Sequence, residues 1–514
     1  MFSIEKLDFD GVPDKHSSSE NFGSGLGGNI SKQPQFDGEQ DWGESGGINS
    51  FCSDVGFFQD DIAEEEIHRE QQLQLFSQLG SLDDLYFDIV SPPLQPCHEE
   101  FSKLVDVHSD SSETAGELSV LSHPYASSFL GLSDEEAKGV ELVQCLLTSA
   151  EKVSQQQFEC AIKLLDQCDA SSYYKGNTVQ RLVYHFSEAL REKIDRETGR
   201  VSLNGLGRKQ LDLKDAMMSP NSTIVSFYQK VPFTQVCLFT GVQAIVENIA
   251  EAKKVHLIDL EIQGGVHCMI LMEALVARHE CALEHMKITA IGTKSKPKIE
   301  EAGKRLISFA ESMNISFSFN VVMVADMLDL NEGLFVLDDE EAVVVYSIYL
   351  LTRMITWPDR LECLMRLMRN INPSVIVVTE LEANHNSPVF VNRFIETLFF
   401  YAAFFDSMED CMSDDEPNRT ISESLYFIPA IRNIVAAEGE ERTIRQVNIN
   451  VWRTFFTRFG MVEMSLSKSA LYQAELMLKN FACGSSCTLE LDGKSLLIGW
   501  KGTPIESLSA WKFQ

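Results

Sequence analysis

The sequence predicts a doubly wound α/β domain with an N-terminal helical cap, preceded by a disordered acidic arm. Three observations predict this arrangement. The first quarter of the chain is strongly acidic, a series of amphipathic helical patterns follows it, and short apolar runs then alternate with further helical patterns.

The whole chain of 514 residues contains 76 acidic and 43 basic side chains, which gives a net charge of -33. A surface this negative repels phosphate, so direct binding to nucleic acid or to anionic membranes is disfavoured. The longest apolar stretch, residues 342–351, is about half of the ~20 residues that a membrane span requires. No secretory signal is expected in MFSIEKLDFD. Protein partners are therefore the expected ligands.

The acidic arm comprises residues 1–132 and carries a net charge of -20. Its Gly- and Ser-rich stretches are too polar to form a packed core, which predicts disorder. Apolar clusters at residues 2–9 and 75–90 interrupt the arm, and the second has apolar side chains at helical spacing. Two interpretations of these clusters fit equally: they fold on a partner, or they dock on the chain's own domain.

Residues 133–514 are predicted to be globular, with a mainly helical cap over 133–230 and an α/β core over 231–514. In the segment NTVQRLVYHFSEALREKI, apolar residues recur at steps of three and four. The segments before it show similar stripes, and consecutive amphipathic helices need a common surface to pack against. The predicted apolar face of the helix in NTVQRLVYHFSEALREKI consists of Val179, Leu182, Val183, Phe186, Leu190 and Ile194.

Five continuous apolar runs follow, and helical patterns separate them. The runs VHLIDL, KITAIG, SFSFNVVMV, AVVVYSIY and SVIVVTEL have the character of parallel strands that helices cover on both faces. In CTLELDGKSLLIGW, Asp492 and Gly493 separate two apolar runs and predict a hairpin. Parallel strands followed by a terminal antiparallel hairpin indicate the methyltransferase-like variant of the Rossmann architecture.

A methyltransferase would need a Gly-rich turn after the first strand and a carboxylate after the second. The first turn contains adjacent Gly264 and Gly265 without the spaced GxGxxG pattern, and the second strand ends without an acid. No phosphate loop, nucleophile elbow or HExxH helix occurs, and Cys483 and Cys487 lack a second ligand pair. We therefore expect no catalysis, no cofactor and no metal, and we expect His256 to be a structural histidine.

Residues 138–514 resemble the GRAS domain of plant transcriptional regulators in five ordered regions. VHLIDL is similar to the VHIID motif, and VWRTFFTRFGM, LLIGWKG and SLSAWK resemble the terminal SAW region. The PFYRE region is recognisable, although Pro429 and Ala430 replace its closing Arg-Glu pair. The matching positions are Val255, His256, Ile258, Asp259, Pro388, Phe390, Tyr401, Trp452, Gly499, Trp500, Ser509, Ala510 and Trp511. Their plain structural interpretation is that the aromatic residues fill core positions and that Asp259 caps the following helix.

The resemblance implies a nuclear co-regulator without established catalysis. It implies homo- or heterodimers with other GRAS proteins, and binding to DNA-binding transcription factors, with DNA contacted only indirectly. The sequence looks closest to DELLA-related members, some of which act in arbuscular mycorrhizal symbiosis; others act in development and hormone response. No DELLA string is present. The rival hypothesis is an S-adenosylmethionine-dependent methyltransferase.

Ligands of open α/β sheets bind outside the carboxyl ends of the strands. Polar residues follow the first and the fifth predicted strand, and a groove that they line would be acidic and suited to a basic partner segment. The alternative is that they are solvated loop residues or helix caps. The candidate groove residues are Asp259, Glu261, Gln263, Glu380, Glu382, Asn384, His385 and Asn386.

Overall fold

The computed structural model describes residues 132–200, 220–262, 264–293 and 296–514. The predicted disordered arm, with its apolar clusters at 2–9 and 75–90, lies outside the described residues except for Leu132. Within the described ranges, no helix is both long and apolar enough to cross a membrane.

Three helices form the cap: α1 (Asp134–Ser154), α2 (Phe158–Ser171) and α3 (Thr178–Glu197). Capping boxes begin α1 at Ser133 and α3 at Asn177, where each side chain accepts a hydrogen bond from the third helical N–H. Five of the six residues in the predicted apolar face of α3 are buried, and Val179 is half-buried. The helical pattern therefore buries the face that its spacing predicts.

Ion pairs connect the cap to the C-terminal half of the chain. The guanidinium of Arg181 on α3 lies 3.1 Å from the Glu423 carboxylate and 2.8 Å from that of Glu409. The Lys193 ammonium lies 2.7 Å from Glu438. Since Arg181 and Glu423 are each 3% exposed at the side chain, this contact is a buried salt bridge.

One nine-stranded sheet forms the core. Its order is β3-β2-β1-β4-β5-β9-β8-β7, and β6 pairs separately with β9. Strands β1 to β5 are parallel, whereas β9 is antiparallel to β5, β6 and β8. The strands are β1 (Lys254–Asp259), β2 (His285–Gly292), β3 (Phe317–Met323), β4 (Glu341–Ile348), β5 (Val375–Leu381), β6 (Met461–Met464), β7 (Cys487–Asp492), β8 (Ser495–Trp500) and β9 (Thr503–Phe513).

Helices cover both faces of the sheet, as the apolar runs predict. Alternate residues of β4 divide between the faces: Val343 and Val345 belong to the core layer that also contains Leu364, whereas Tyr346 lies near Gly241 on the opposite side. The other helices are α4 (Pro220–Lys230), α5 (Phe233–Asn248), α6 (Val266–Val276), α7 (Lys296–Ser312), α8 (Leu351–Met354), α9 (Pro358–Ile371), α10 (Phe390–Cys411), α11 (Glu416–Ser422), α12 (Ile428–Ala436), α13 (Ile449–Arg458) and α14 (Lys468–Lys479).

The prediction of a Rossmann-like, methyltransferase-like fold is confirmed, and so is the terminal hairpin of β7 and β8. The terminal stretch SLSAWK extends the antiparallel part of the sheet beyond this hairpin. It forms β9, which lies between β5 and β8. Polar Ser507 and Ser509 alternate with apolar neighbours there, a pattern typical of a half-buried strand, whereas every residue from Ile505 to Trp511 is buried.

Gly499 lies at a bulge between β8 and β9. A Cβ at this position would lie 2.5 Å from the Thr488 hydroxyl oxygen and 2.7 Å from the Thr503 carbonyl oxygen. Both distances are shorter than van der Waals contact permits, so the bulge requires glycine. The turn from β8 into β9 is formed by Lys501 and Gly502, which both have positive φ and lie between the paired residues Trp500 and Thr503.

Candidate functional site

The sheet order reverses between β1 and β4, so that the carboxyl ends of these strands form the crevice where ligands of open α/β sheets bind. Asp259, the last residue of β1, is opposite Tyr346 of β4. The turn after β1 leads to Gly265, whose φ of 74° precedes α6. Helix α6 therefore begins beside this crevice.

Asp259 is 1% exposed and is hydrogen bonded on both carboxylate oxygens. Its Oδ1 accepts from the backbone N–H of Glu261 at 3.0 Å, and its Oδ2 is hydrogen bonded to Nε2 of His267. The Cys268 thiol donates to Oδ2 at 3.6 Å. Asp259 therefore binds side chains in the first turn of α6, whereas the helix N-cap itself is Gly265.

His267 fills the space between Asp259 and β4. Its ring stacks on Tyr346, with centroids 4.8 Å apart and an interplanar angle of 12°. Tyr346 is 1% exposed, and its hydroxyl has no hydrogen-bond partner in the described part of the chain. Burial raises the pKa of the Tyr346 hydroxyl, and nearby acidic groups raise it further. His267 and Tyr346 were not predicted from the sequence; the available signal was a His-Cys pair that follows the first strand and its double glycine.

Asp259, His267 and Cys268 are all buried, and one potential metal-ligating atom from each lies within 4.8 Å of the others. No metal was predicted, because the sequence lacks pairs of Cys or His at zinc-finger spacing. These three residues come from a strand end and a helix start, which the turn of the fold brings together.

The remaining candidates near β1 differ in exposure. Glu261 is half-buried, and its carboxylate lies 2.7 Å from the guanidinium of Arg353, which is 59% exposed at the side chain. Gln263 lies outside the described residues. Glu261 is therefore the residue of the predicted acidic groove that reaches the surface beside β1.

The carboxyl group of Glu380 is buried at the end of β5. Its Oε1 accepts hydrogen bonds from the backbone N–H groups of Leu351 and Thr352, at 2.9 and 3.3 Å. Burial raises the pKa of Glu380 to about 7, and these hydrogen bonds oppose the rise. Glu380 thus holds the start of α8 and does not face solvent.

The segment after β5 is tied to the start of α13 and the loop before it. Both carboxylate oxygens of Glu382 lie 3.0 Å from the backbone nitrogen of Ile449, and burial raises the pKa of Glu382 to about 7. His385 Nδ1 lies 2.9 Å from Oε1 of Gln446, and Asn386 accepts from Arg445 at 3.1 Å. Burial lowers the pKa of His385 to about 4.

The geometry corrects the expectation of an open acidic groove. Five of the eight candidate side chains are described as buried or bound to backbone atoms: Asp259, Glu380, Glu382, His385 and Asn386. Glu261 pairs with an arginine, and Asn384 is half-buried. The polar residues satisfy backbone groups where the loops cross the sheet edge, because buried N–H groups need acceptors.

Glu506 is a further buried acid that the sequence analysis missed. It lies on β9 and accepts hydrogen bonds from the Tyr349 hydroxyl at 2.7 Å and the Thr234 hydroxyl at 3.3 Å. Burial raises the pKa of Glu506 to about 7. It faces the same sheet end as Glu380, because Leu381 of β5 is paired with Glu506 of β9.

Most motif residues are buried. His256 is fully buried, its Nε2 lies 2.8 Å from the Thr289 hydroxyl, and burial together with nearby Lys287 lowers its pKa to about 3. Pro388 is exposed and Phe390 is half-buried. The buried motif positions are Val255, His256, Ile258, Asp259, Tyr401, Trp452, Gly499, Trp500, Ser509, Ala510 and Trp511.

The residues in the crevice do not fit a nucleotide-type cofactor. The stacked rings of His267 and Tyr346 occupy the space beside β1, and β2 ends at Gly292 without a carboxylate for ribose hydroxyls. A cofactor there would have to displace side chains that are already buried. No step of a methyl-transfer reaction follows from this geometry.

Exposed apolar side chains concentrate in the β3–β4 connection, residues 324–340. Val336 is 74% exposed, and Phe335 beside it is buried and anchors the segment. Contiguous exposed apolar side chains beside charged ones mark interaction surfaces. Four large apolar and five acidic side chains are exposed here: Leu328, Leu334, Val336, Leu337, Asp329, Glu332, Asp338, Asp339 and Glu340.

The chain is similar to known proteins in family, in sequence and in structure. The model of the GRAS domain family matches residues 142–512. DELLA protein RGL1 of Arabidopsis thaliana is 32% identical over 381 residues, which cover 74% of this chain and 71% of that protein. DELLA protein GAIP of Cucurbita maxima is 30% identical over 386 residues, which cover 74% of this chain and 64% of that protein.

The crystal structure of SCL7 from Oryza sativa is similar, with a TM-score of 0.64 at 25% sequence identity. The similarity covers 72% of this chain and 99% of that one. The similarity to DELLA proteins and to the rice structure is therefore consistent with the family match to residues 142–512.

Proposed function

Since the chain belongs to the GRAS family of plant transcriptional regulators, we propose that it is a nuclear co-regulator that acts as a protein-protein adaptor. In this proposal it binds other GRAS proteins and DNA-binding transcription factors, reaches DNA only through them, and has no enzymatic activity. The observation that carries the adaptor function is the filled crevice between β1 and β4, combined with the exposed apolar surface of the β3–β4 connection.

The rival function makes a direct prediction about ligand binding. A methyltransferase would bind S-adenosylmethionine at the carboxyl ends of β1 and β2, where the described residues provide neither an open crevice nor a ribose carboxylate. Isothermal calorimetry of the purified chain should detect no stoichiometric binding. Micromolar binding at one molecule per chain would favour the enzyme instead.

The charge of the chain supports indirect DNA contact. With a net charge of -33, the purified chain should bind DNA weakly and without sequence preference. Promoter fragments should be retained only when a DNA-binding partner is added. A tight, sequence-specific complex of the chain alone in a mobility-shift assay would contradict the adaptor hypothesis.

Within this proposal, the β3–β4 connection contacts a partner that presents apolar side chains next to basic ones. Asp338, Asp339 and Glu340 make this surface acidic, and most DNA-binding proteins are basic, whereas a second copy of this acidic chain would be repelled. The DNA-binding transcription factor is therefore the occupant that charge complementarity favours.

Val336→Asp tests this surface, because it places a charge in the exposed apolar patch without changing the core. We expect about a ten-fold or larger loss of affinity for a basic transcription factor in a surface-binding assay. Val276→Asp is the matched control, since Val276 is 42% exposed on α6, away from the patch. Equal losses in both variants would show that the β3–β4 connection is not the contact.

The division of the chain is also part of the proposal. We expect partner assembly to reside in residues 133–514, so that truncation near residue 132 leaves a folded chain that still binds partners. Limited proteolysis with mass spectrometry checks this expectation. Nuclear localisation is checked with a fluorescent fusion of the full chain in plant cells.

A further inference from the structure

Asp259, His267 and Cys268 form a buried cluster with the donor set of a zinc site. Carboxylate oxygen, imidazole nitrogen and thiolate sulfur are all common zinc ligands, whereas magnesium and calcium prefer oxygen alone. We propose that this cluster binds one zinc ion, which is independent of the adaptor function proposed above.

The distances need little adjustment. Ligand atoms around a tetrahedral zinc lie roughly 3.3 to 3.7 Å apart, given bonds of about 2.0 to 2.3 Å. The Cys268 sulfur is already 3.6 Å from Oδ2 of Asp259. The His267 nitrogen is hydrogen bonded to the same oxygen and must retreat by less than ~1.5 Å to make room for the ion.

Charge balance favours the ion in this buried place. A carboxylate, a thiolate and a neutral imidazole carry two negative charges, which one zinc ion neutralises. A carboxylate that is 1% exposed is costly to bury even with hydrogen bonds, and a bound cation offsets that cost. The cation also makes the deprotonated form of Cys268 favourable, which burial beside Asp259 otherwise opposes.

Two neighbouring groups support the cluster as a binding site. The backbone N–H of Glu261 donates to Oδ1 of Asp259 at 3.0 Å, which orients the carboxylate as an outer ligand partner does. The buried Tyr346 hydroxyl, on the ring that stacks against His267, has no hydrogen-bond partner in the described part of the chain. This hydroxyl is a buried polar group that a water molecule bound to the ion could satisfy.

The test is zinc titration of the full chain after dialysis against a chelator, with a zinc-binding dye as competitor. We expect one zinc per chain with a submicromolar Kd. Cys268→Ser should weaken binding roughly a hundred-fold or more, since even outer-shell changes at zinc sites cost 10- to 100-fold. Cys237→Ser is the matched control, because Cys237 is equally buried outside the cluster and should leave the affinity unchanged.

X-ray absorption at the zinc edge keeps the proposal testable if Cys268→Ser does not fold. In the unaltered chain it should show one sulfur at about 2.3 Å and the remaining ligands as nitrogen or oxygen at about 2.0 to 2.2 Å. Absence of stoichiometric zinc binding would overturn the proposal. Two or more sulfur ligands, or unchanged binding in a folded Cys268→Ser, would overturn it as well by placing zinc elsewhere.

Discussion

The interface between the cap and the core differs from the surroundings of β9 in how it buries acidic groups. At the cap interface, Glu423 faces the guanidinium of Arg181. Around β9, Glu380, Glu382 and Glu506 accept hydrogen bonds from backbone N–H and hydroxyl groups, and burial raises the pKa of each to about 7. Burial raises the pKa of Glu423 as well, but there the guanidinium of Arg181 opposes the rise, whereas around β9 mainly hydrogen bonds from neutral groups oppose it.

Large aromatic side chains are buried around β8 and β9. Trp511 of β9 is fully buried and packs on Phe456 of α13, with ring centroids 4.8 Å apart. Trp500 of β8 packs on Phe233 of α5, and its indole N–H donates to Asp406 at 2.6 Å. The strand region is therefore stabilised in part by the burial of large aromatic side chains.

The largest expected effect is that of Trp511→Ala. Removing a fully buried tryptophan from a core costs about 3 to 5 kcal/mol, a large share of the ~5 to 15 kcal/mol that stabilises a domain. Urea denaturation should show this loss, and dimerisation and transcription-factor binding should fail together. Tyr472→Ala is the control, since Tyr472 is 50% exposed. An unchanged melting temperature with loss of a single partner would make the SAW strand an interface instead of a core element.

At the cap interface, Arg181→Met should cost roughly 3 kcal/mol, the lower end of the range for breaking a buried ion pair. The value is at the lower end because Arg419 also lies 3.9 Å from Glu423. Adding Glu423→Gln should recover part of the loss, as a double-mutant cycle measures. If Arg181→Met alone changed the free energy of unfolding by under ~1 kcal/mol, the ion pair would not hold the cap.

A further prediction concerns how the stability of the chain depends on pH. Glu506 has a folded-state pKa of about 7 against an ordinary value of 4.5, so its contribution to stability is complete below pH 4.5 and is lost as pH rises through 7. Glu506→Gln keeps an acceptor but has no proton to lose. We therefore expect the variant to gain roughly 2 kcal/mol relative to the original chain between pH 5 and 8.

Denaturation of both proteins across this pH range measures the difference directly. The comparison is needed because buried His185, His256 and His385, whose pKa values are lowered to about 3, 3 and 4, reduce stability as pH falls below 6.5 in both proteins. A constant difference from pH 5 to 8 would mean that Glu506 titrates at its ordinary pKa.

The smallest expected effect is at the exposed pair of Glu261 and Arg353. Arg353→Ala should change the free energy of unfolding by less than ~1 kcal/mol, because the arginine is 59% exposed and water screens the pair. Salt titration of the melting temperature checks this expectation. A loss as large as that of Arg181→Met would mean that burial does not decide the strength of these ion pairs.

The sequence by itself determined the elements whose patterns are local. The five parallel strands are continuous apolar runs, and the face of α3 follows the helical period. The DG hairpin between β7 and β8 needed only its turn residues. The family motifs could also be recognised in order from the sequence, because most of their residues occupy core positions or turns where few other residue types fit.

The tertiary structure alone decided which groups meet. It placed β9 between β5 and β8, which buried Glu506 beside the end of β5. It also brought His267 and Cys268 against Asp259 and closed the groove that the polar residues after β1 and β5 seemed to line. Strand order and the burial of loop side chains depend on contacts between distant segments. The spacing of residues along one segment does not predict those contacts.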